Sequence, residues 1–417
     1  MSKYIINSGN KIEGTLKLRG AKNAVLPIMA ATILNESISI LHNVPNISDV
    51  LVMIKILESI GCKVEYNEDT LIIDSSNINS FNIDEEYVKK MRSSIILMGA
   101  MISRFDYVKI SQPGGCAIGA RPIDLHIKAL RCLGVKIDEE EDAVYCQRDI
   151  LKGSEIVFEK VSVGATENAI LAAVKAKGIT KIYNAAIEPE IEDLQNFLNA
   201  MGAKITSDNK GYIEIEGVEK LSKVEYSIIP DRIAIGTYMV CSAMTGGKLE
   251  VEKVIKSHIE PICNMLKLCG SEIEYTENGL YIVAPKKIKS IDIIKTEPHP
   301  GFPTDMQSQI MALMTVADGE SSFYETIFEN RFMHCDELIK MGANIDVISK
   351  KICKVNGVKE LHGANVKATD LRGGASLIIA ALVAKGETEI SDIYHIERGY
   401  EDIENILRNL GADIKKK

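Results

Sequence analysis

The chain has 417 residues, of which 46% are hydrophobic and 26% charged, as is typical of a soluble protein with two or three domains. Its 49 basic and 58 acidic residues give a net charge of −9, and it has no tryptophan, so nucleic acid is not an expected partner. No apolar run approaches the ~20 residues that cross a bilayer, and the first residues, MSKYIINSGNKIEG, lack the apolar core of a secretory signal. We therefore expect a cytoplasmic protein without a membrane partner.

The nine cysteines include no C-x-x-C pair, which fits a reducing compartment better than a disulfide framework. The seven histidines are scattered, and none lies at zinc-ligand spacing from a cysteine. We expect no metal site.

A helix that ends in Leu-x-x-hydrophobic-Gly and leads into a short strand recurs six times along the chain. The segments are LESIGCKVE, LRCLGVKID, LNAMGAKIT, LKLCGSEIE, LIKMGANID and LRNLGADIK, with their glycines at Gly61, Gly134, Gly202, Gly270, Gly342 and Gly411. Successive glycines are 68 to 73 residues apart. The regular period predicts six α/β repeats, each with a left-handed glycine at the end of a helix. Six such units form either one ring or two lobes of three.

Each repeat also has a second helix that is apolar on nearly all sides, which predicts that it is buried. These helices contain AVLPIMAATIL, SIILMGAMIS, ENAILAAVKA, IAIGTYMVCSAM, MQSQIMALMTV and ASLIIAALVA. Four of them begin at or near a basic residue: Lys22, Arg92, Arg232 or Arg372. A cation at this end opposes the helix dipole, so these positions predict anion binding. Ion pairs with neighbouring acidic side chains are the alternative.

The stretch QPGGCAIGARPID, residues 112–124, places Cys116 between glycines and close to Arg121. A structural cysteine is usually buried among apolar neighbours, whereas a reactive one is partly exposed and near positive charge. The glycines predict a mobile loop. Because such a loop leaves Cys116 partly exposed beside Arg121, we expect its thiol to be reactive. A structural cysteine is the alternative.

Seven segments together resemble the UDP-N-acetylglucosamine 1-carboxyvinyltransferase family. They are RGAKNAVLP (19–27), PGGCAIGARPIDLH (113–126), KVSVGATENAI (160–170), PHPGFPTDMQ (298–307), FENRFMH (328–334), TDLRGGASL (369–377) and YHIERGYEDI (394–403). The resemblance spans nearly the whole chain. It implies an α/β fold with two lobes, each an inside-out α/β barrel of three repeats around buried helices. Residues 22–229 would form the first lobe, and residues 1–21 with 230–417 the second.

The resemblance implies transfer of the enolpyruvyl group of phosphoenolpyruvate to the 3-hydroxyl of UDP-N-acetylglucosamine, with release of phosphate. This reaction is the first committed step of peptidoglycan synthesis. Phosphoenolpyruvate carries a phosphate and a carboxylate, which require cationic residues. Lys22, Arg121 and Arg398 match the family's positions on the phosphate side, and Arg331 and Arg372 match those near the carboxylate.

Cys116 matches the family's general acid. In this family that cysteine is the target of fosfomycin and can also hold a covalent adduct of phosphoenolpyruvate. The family's general base matches Asp305, and Asn23 matches a residue that binds the tetrahedral intermediate. No separate cofactor is implied. The positions that match sugar-nucleotide contacts are Arg92, Arg121, Pro122, Ile123, Asp124, Leu125, Lys160, Val161, Ser162, Val163, Gly164 and Ile327. The glycines around Cys116 would let a loop carry the thiol over the cleft once the nucleotide is bound.

One departure and two alternatives remain open. Many family members have a lysine after NVP (43–45), where this chain has the uncharged Asn46 to Ser48. The missing charge would change the affinity for phosphoenolpyruvate. It also leaves open that this chain is one of the two paralogues that some Gram-positive genomes carry. The alternatives are a 5-enolpyruvylshikimate-3-phosphate synthase, which shares the fold and chemistry, and a catalytically silent sugar-nucleotide sensor.

Overall fold

The computed structural model describes residues 2–83, 85–111, 119 and 122–417. Cys116 and Arg121, with the rest of the predicted cysteine loop except Gly119, lie outside the described residues. Strands and helices alternate along the chain, so the predicted mixed α/β class is confirmed.

Twenty-three strands, mostly of three to five residues, lie in the described part of the chain. They are β1 (Tyr4–Asn7), β2 (Gly14–Leu16), β3 (Ile38–His42), β4 (Lys63–Asn67), β5 (Thr70–Asp74), β6 (Tyr107–Ser111), β7 (Lys136–Glu139), β8 (Ala143–Gln147), β9 (Glu155–Val157), β10 (Ile179–Tyr183), β11 (Lys204–Ser207), β12 (Tyr212–Glu216), β13 (Val224–Ser227), β14 (Lys248–Glu252), β15 (Glu272–Tyr275), β16 (Gly279–Val283), β17 (Ile293–Lys295), β18 (Glu320–Tyr324), β19 (Asn344–Ser349), β20 (Ile352–Asn356), β21 (Asn365–Lys367), β22 (Glu387–Ser391) and β23 (Asp413–Lys416).

The same residues form fourteen α-helices and three short 3-10 helices. The α-helices are α1 (Lys22–Ala31), α2 (Ser48–Ser59), α3 (Glu85–Lys90), α4 (Leu97–Arg104), α5 (Asp124–Cys132), α6 (Val163–Ala173), α7 (Pro189–Ala200), α8 (Arg232–Thr245), α9 (Lys256–Leu268), α10 (Gln307–Met314), α11 (Cys335–Lys340), α12 (Leu371–Ala381), α13 (Tyr394–Glu397) and α14 (Ile403–Asn409). The 3-10 helices are Thr32–Asn35, Arg92–Ile96 and Thr304–Met306. Among these residues, no helix is long and apolar enough to span a membrane.

Contacts within the chain divide it into two compact units. We call residues 19–111 and 122–229 the continuous unit, and residues 2–18, 119 and 230–417 the split unit. The continuous unit has three sheets, with strand orders β13-β3-β5-β4, β6-β8-β7 and β11-β12-β10-β9. The split unit also has three, with orders β15-β16-β14-β2, β17-β18-β20-β19 and β21-β22-β1-β23. Each unit buries its own hydrophobic core.

The first two strands belong to the split unit because of their pairing. Strand β1 lies between β22 and β23 and is antiparallel to both, with Tyr4 opposite Ile390 on one side and Lys416 on the other. Strand β2 runs parallel to β14. The split unit therefore joins the two ends of the described chain in a single sheet.

Six helices end in the way that the repeated glycines predict. Each glycine comes two residues after its helix and has a φ between 92° and 109°. Its N–H donates to the carbonyl three residues earlier, and the next N–H donates to the carbonyl five residues before it, as in Gly61 to Glu58 and Cys62 to Leu57. This Schellman arrangement satisfies the last carbonyls of the helix and turns the chain into the following strand. The predicted left-handed helix ends are confirmed.

The predicted apolar helices are buried. Only Asn23 is exposed in α1, and every residue of α8 except Thr245 is buried. Helix α4 packs against α6 in the continuous unit, and α10 packs against α12 in the split unit. At the first of these contacts, a Cβ atom added at Gly99 would lie 2.4 Å from the carbonyl oxygen of Asn168, so the close approach requires glycine.

Candidate active site

Asp305 of the split unit is held between two arginines. It lies in the 3-10 helix Thr304–Met306, directly before α10, and its side chain is 25% exposed. Its Oδ1 accepts from Nη2 of Arg331 at 2.9 Å, and its Oδ2 accepts from Nη2 of Arg372 at 3.0 Å. Both arginines are buried. The structure therefore brings together three residues that the resemblance assigns to one site.

Capping of α12 places Arg372 at the start of this helix. Asp370 accepts from the backbone N–H groups of Arg372 at 3.0 Å and Gly373 at 3.1 Å. The guanidinium group lies over the ring of Tyr400, with 5.4 Å between its central carbon and the ring centroid. Two carboxylates, Asp305 and Asp370, thus offset the charge that a cation at a helix N-terminus would otherwise leave unbalanced.

Three N–H groups of the two arginines have no hydrogen-bond partner among the described residues. They belong to three buried nitrogen atoms, Nε of Arg331 and both Nε and Nη1 of Arg372. A buried charged donor without an acceptor is costly, so such donors usually mark a place that a ligand fills. An anion with several acceptor oxygens, such as a carboxylate, suits guanidinium groups best.

A buried carboxylate, Glu325, orders the chain around the predicted contact Ile327. Its Oε1 accepts from the N–H groups of Ile327 at 2.8 Å and Phe328 at 3.0 Å, and its Oε2 accepts from the hydroxyl of Thr304 at 2.9 Å. Ile327 remains 39% exposed. Glu325 thus connects the turn that carries Ile327 to the residue directly before Asp305.

The remaining titratable groups near these arginines have shifted pKa values. Burial raises the pKa of the Asp370 carboxyl, but Arg331, the backbone amides of α12 and His334 outweigh it and hold that pKa below its usual range. Burial, helped by Arg331, lowers the pKa of His334 to about 4. At neutral pH, His334 is therefore neutral, while Asp370 is ionised.

Arg398, also in the split unit, directly follows α13 and is half-buried. Two residues later comes Tyr400, whose ring lies beneath Arg372. The motif YHIERGYEDI thus contributes Arg398, a cation predicted for the phosphate side. It also contributes Tyr400, which contacts Arg372, a cation predicted for the carboxylate side.

In the continuous unit, Lys22 forms a buried ion pair. It begins α1, and its Nζ lies 2.7 Å from Oδ2 of Asp49, the second residue of α2. Asn23, the next residue, is exposed. The ion-pair alternative considered for the basic helix starts thus applies to Lys22, as it does to Arg372 with Asp305. Ser48, where many family members have a lysine nearby, directly precedes Asp49.

The two predicted nucleotide segments meet through a buried histidine. Pro122 to Leu125 span the start of α5, and Lys160 to Gly164 span the start of α6. Ser162 caps α6 by accepting from the N–H of Ala165 at 3.4 Å. His126 follows the first segment, and a Cβ atom added at Gly164 would lie 2.9 Å from its Cε1. Glycine is therefore required where the two helix starts approach each other.

Hydrogen bonds fix the state of His126. Nδ2 of Asn168 donates to Nδ1 of His126 at 2.7 Å and to the carbonyl oxygen of Ile95 at 3.0 Å, while Oδ1 of Asn168 accepts from the N–H of Gly99 at 2.6 Å. The proton of the neutral imidazole therefore lies on Nε2. Burial, followed by the charge of Arg92, lowers the pKa of His126 to about 4. Arg92 begins the 3-10 helix Arg92–Ile96 and is half-buried.

An open groove of about 600 Å³ adjoins the first nucleotide segment. It is lined by Pro122, Ile123, Asp124, Ile127, Lys128, Arg131, Cys132 and Glu139. Neither Lys22 nor Asp305 contributes to it. The groove thus provides space beside the predicted nucleotide residues and none for the reaction itself.

Several residues at these sites escaped sequence reasoning. Asp49 contacts Lys22 and Glu325 contacts Thr304 from distant parts of the chain, and no local pattern marks them. Tyr400 lies in the motif YHIERGYEDI, but nothing in that motif indicates its contact with Arg372. Asp370 did carry a signal, since an acidic residue two positions before Arg372 is a typical helix cap.

Comparisons with known proteins agree with these observations. A family model described as EPSP synthase (3-phosphoshikimate 1-carboxyvinyltransferase) matches residues 6–407. The chain is 50% identical to UDP-N-acetylglucosamine 1-carboxyvinyltransferase 2 of Caldanaerobacter subterraneus, with 99% of each chain covered. It is 46% identical to UDP-N-acetylglucosamine 1-carboxyvinyltransferase 1 of Staphylococcus aureus, over 100% of this chain and 99% of the relative.

Two solved structures share the fold. The enolpyruvyl transferase NikO from Streptomyces tendae matches with a TM-score of 0.90 at 22% identity, covering 100% of this chain and 99% of that one. An EPSP synthase from Acinetobacter baumannii matches with a TM-score of 0.76 at 16% identity, covering 100% of both chains. The family expected from the sequence motifs is thereby confirmed: the chain belongs to the EPSP synthase family and, within it, to the UDP-N-acetylglucosamine 1-carboxyvinyltransferases.

Proposed function

We propose that this protein transfers the enolpyruvyl group of phosphoenolpyruvate to the 3-hydroxyl of UDP-N-acetylglucosamine, releasing phosphate and committing the sugar to peptidoglycan synthesis. The observation that carries the proposal is the Asp305 carboxylate held between Arg331 and Arg372, three of whose buried nitrogens lack acceptors among the described residues. A reaction between one substrate with a carboxylate and another with a hydroxyl to be deprotonated needs this combination of donors and base.

In the proposed reaction, Cys116 delivers a proton to C3 of phosphoenolpyruvate while the 3-oxygen of the sugar bonds to C2. Asp305 takes the hydroxyl proton. The Cys116 thiolate then takes a proton back from C3, the double bond between C2 and C3 forms again, the bond between C2 and the phosphate oxygen breaks, and phosphate leaves. The proton on Asp305 passes to solvent. The same thiol can instead bond to C2 and hold phosphoenolpyruvate as a covalent adduct. No separate cofactor enters these steps.

The cations divide between the two acidic groups of phosphoenolpyruvate. Arg331 and Arg372 would hold its carboxylate, and Lys22, Arg121 and Arg398 its phosphate. The Lys22–Asp49 ion pair supports this role, because Asp49 fixes the ammonium group at the start of α1. Asn23, exposed beside Lys22, would bind the tetrahedral intermediate.

The sugar nucleotide would occupy the segments that lead into α5 and α6. The free N–H groups and positive dipole at the start of α6 suit a diphosphate, with Lys160 adding a cation. Residues Arg121 to Leu125 and Val161 to Gly164, with Arg92 and Ile327, would complete the contacts. Because both substrates are small anions, we propose a cytoplasmic enzyme that binds neither nucleic acid nor membrane.

We further propose that the continuous and split units are the family's two lobes, residues 22–229 and residues 1–21 with 230–417. Each would be an inside-out barrel in which three repeats place their apolar helices at the centre. Three sheets and a separate core in each unit support this assignment.

The test is phosphate release from phosphoenolpyruvate, measured with and without UDP-N-acetylglucosamine. We expect release only when the sugar nucleotide is present. Release with shikimate-3-phosphate instead would favour the synthase alternative. Binding of the nucleotide with no release of phosphate would favour a silent sensor.

A further inference from the structure

Three fully buried side chains from separate parts of the split unit form one hydrogen-bonded cluster beneath Asp305. They are Thr237 of α8, Gln309 of α10 and Tyr400, which follows α13. Thr237 Oγ1 lies 2.9 Å from the hydroxyl of Tyr400 and 3.1 Å from Nε2 of Gln309. Nothing in the proposed chemistry assigns these residues a part.

The positions of the hydrogens follow from the partners. Thr237 donates its single hydroxyl hydrogen to the carbonyl oxygen of Ile233 at 2.9 Å, so the Tyr400 hydroxyl must donate to Thr237. Burial raises the pKa of Tyr400, which keeps that proton in place. Nε2 of Gln309 faces acceptors only: the carbonyl oxygen of Asp305 at 2.8 Å, Thr237 at 3.1 Å and the Tyr400 oxygen at 3.3 Å. A flipped amide would put oxygen against oxygen, so its orientation is fixed.

The cluster touches both partners of the ion pair between Asp305 and Arg372. Gln309 holds the backbone carbonyl of Asp305, and the ring of Tyr400 supports the guanidinium group of Arg372. We propose that Gln309 and Tyr400, joined by Thr237, are positioning residues that fix the base and the carboxylate-binding arginine relative to each other. The expected effect on kcat rests on the proposed function. The expected effect on the placement of Asp305 relative to Arg372 rests on geometry alone.

A purely structural role does not explain Gln309. Its Oε1 is buried and has no hydrogen-bond partner among the described residues, which costs folding free energy. An apolar side chain of similar size would avoid that cost. Retention of an amide with one unsatisfied atom indicates that the bond from Nε2 to Asp305 contributes something other than stability.

The experiment compares Gln309→Met and Tyr400→Phe with wild type and with Thr315→Val. Thr315 is a matched control because its buried hydroxyl bonds only a carbonyl of its own helical segment, at 2.6 Å from Ala312. For each protein, kcat, both KM values and the thermal midpoint are measured, and the Gln309→Met variant is crystallised.

We expect Gln309→Met to lower kcat by about tenfold or more through misplacement of Asp305, with KM for UDP-N-acetylglucosamine changed by less than about twofold. Its thermal midpoint should fall only slightly, because the unsatisfied Oε1 is removed together with the bonds from Nε2. Tyr400→Phe, which keeps the ring, should lower kcat by about threefold. Because both act through one cluster, the double variant should be little slower than Gln309→Met alone. Thr315→Val should turn over like wild type.

The outcomes separate this inference from the proposed function. If wild type turns over and Gln309→Met keeps a normal kcat, the positioning role is refuted. If wild type releases no phosphate, the proposed function fails, and the crystal structure decides the inference instead. There, an Asp305–Arg372 contact unchanged from 3.0 Å would refute it, and a displaced carboxylate would support it.

Discussion

At the scale of single residues, Asp305 combines two demands on one carboxylate. In the proposed reaction it accepts a proton from a sugar hydroxyl, yet it also pairs with Arg331 and Arg372. Ion pairs stabilise the charged form of a carboxylate and so weaken it as a base. A substrate carboxylate that engages the arginines would compete for the same guanidinium groups and leave Asp305 freer to accept a proton.

Asp305→Asn, which keeps the shape and removes the base, should lower kcat by ~10²-fold or more. Binding of UDP-N-acetylglucosamine should weaken far less, because the proposed nucleotide segments lie at the starts of α5 and α6. Steady-state kinetics and calorimetric titration of the nucleotide measure the two effects. A variant with near-normal kcat would remove Asp305 from the mechanism.

The burial of the other cysteines supports the prediction that Cys116 is the reactive thiol. Of the eight that the structure describes, seven are buried and Cys132 is half-buried. Burial raises the pKa of Cys62, Cys146 and Cys269 to about 12, so those thiols form little thiolate at neutral pH. Fosfomycin should therefore add its mass at Cys116, as peptide mass spectrometry would detect.

Cys116→Ala should prevent both the modification and turnover, whereas Cys132→Ser should leave both unchanged. Adduct formation at any other cysteine would contradict the assignment of Cys116.

The residues of the site were predictable to different degrees. Asp305, Arg331 and Arg372 lie in motifs that the family shares, and the structure brings all three into contact. Their supports, Glu325 and Gln309, were not predictable, because a buried carboxylate or amide in an apolar segment has no local signature. Only the fold determines which distant backbone groups such side chains meet.

At the scale of elements, the six glycine helix ends differ from the glycines that fill close contacts. Gly202 has a φ of 100°, and a Cβ atom added there meets nothing within 4 Å. At Gly217, an added Cβ would lie 1.6 Å from the carbonyl oxygen of Ala176. The first glycine is needed for its backbone conformation, the second for space.

Gly202→Ala should therefore lower the free energy of unfolding by roughly 1–2 kcal/mol, the cost of a left-handed conformation for an L-residue. Gly217→Ala should cost more, because the backbone itself must move. Urea denaturation of both variants and wild type measures the difference. Equal or greater stability of Gly202→Ala would show that this helix end does not depend on a left-handed residue.

Helix ends and strands were predictable because they depend on neighbours within a few residues, as Gly61 and β4 show. The pairing of β1 with β22 and β23 depends on residues 380 to 412 positions away and leaves no mark on the local sequence. The same applies to the parallel partner that β2 finds in β14.

At the scale of the whole molecule, the stability of the chain should depend on pH through His126. Its pKa falls from 6.5 to about 4 on folding, so below pH 6.5 the unfolded chain binds a proton that the folded chain does not. The free energy of unfolding therefore decreases as the pH falls from 6.5 toward 4, by on the order of 3 kcal/mol in total.

His126→Gln lacks this titration, so its stability relative to wild type should improve as the pH falls from 7 to 4.5. Urea midpoints at both pH values measure this change. The comparison of variants is needed because burial raises the pKa of Asp193 to about 6, and that group makes the opposite contribution in both proteins. Parallel pH dependence of the two proteins would contradict the buried neutral histidine.

The position of β1 between β22 and β23 determines when this strand can pair during synthesis of the chain. Strand β1 leaves the ribosome before the other described strands, but it has no partner until β22 and β23 emerge. At typical synthesis rates this delay is roughly 20 to 80 s. The continuous unit, in contrast, has all its strands once β13 has been made. The split unit keeps its earliest strand unpaired until β22 has been made, and this is the stage at which we expect chaperones to act on the nascent chain.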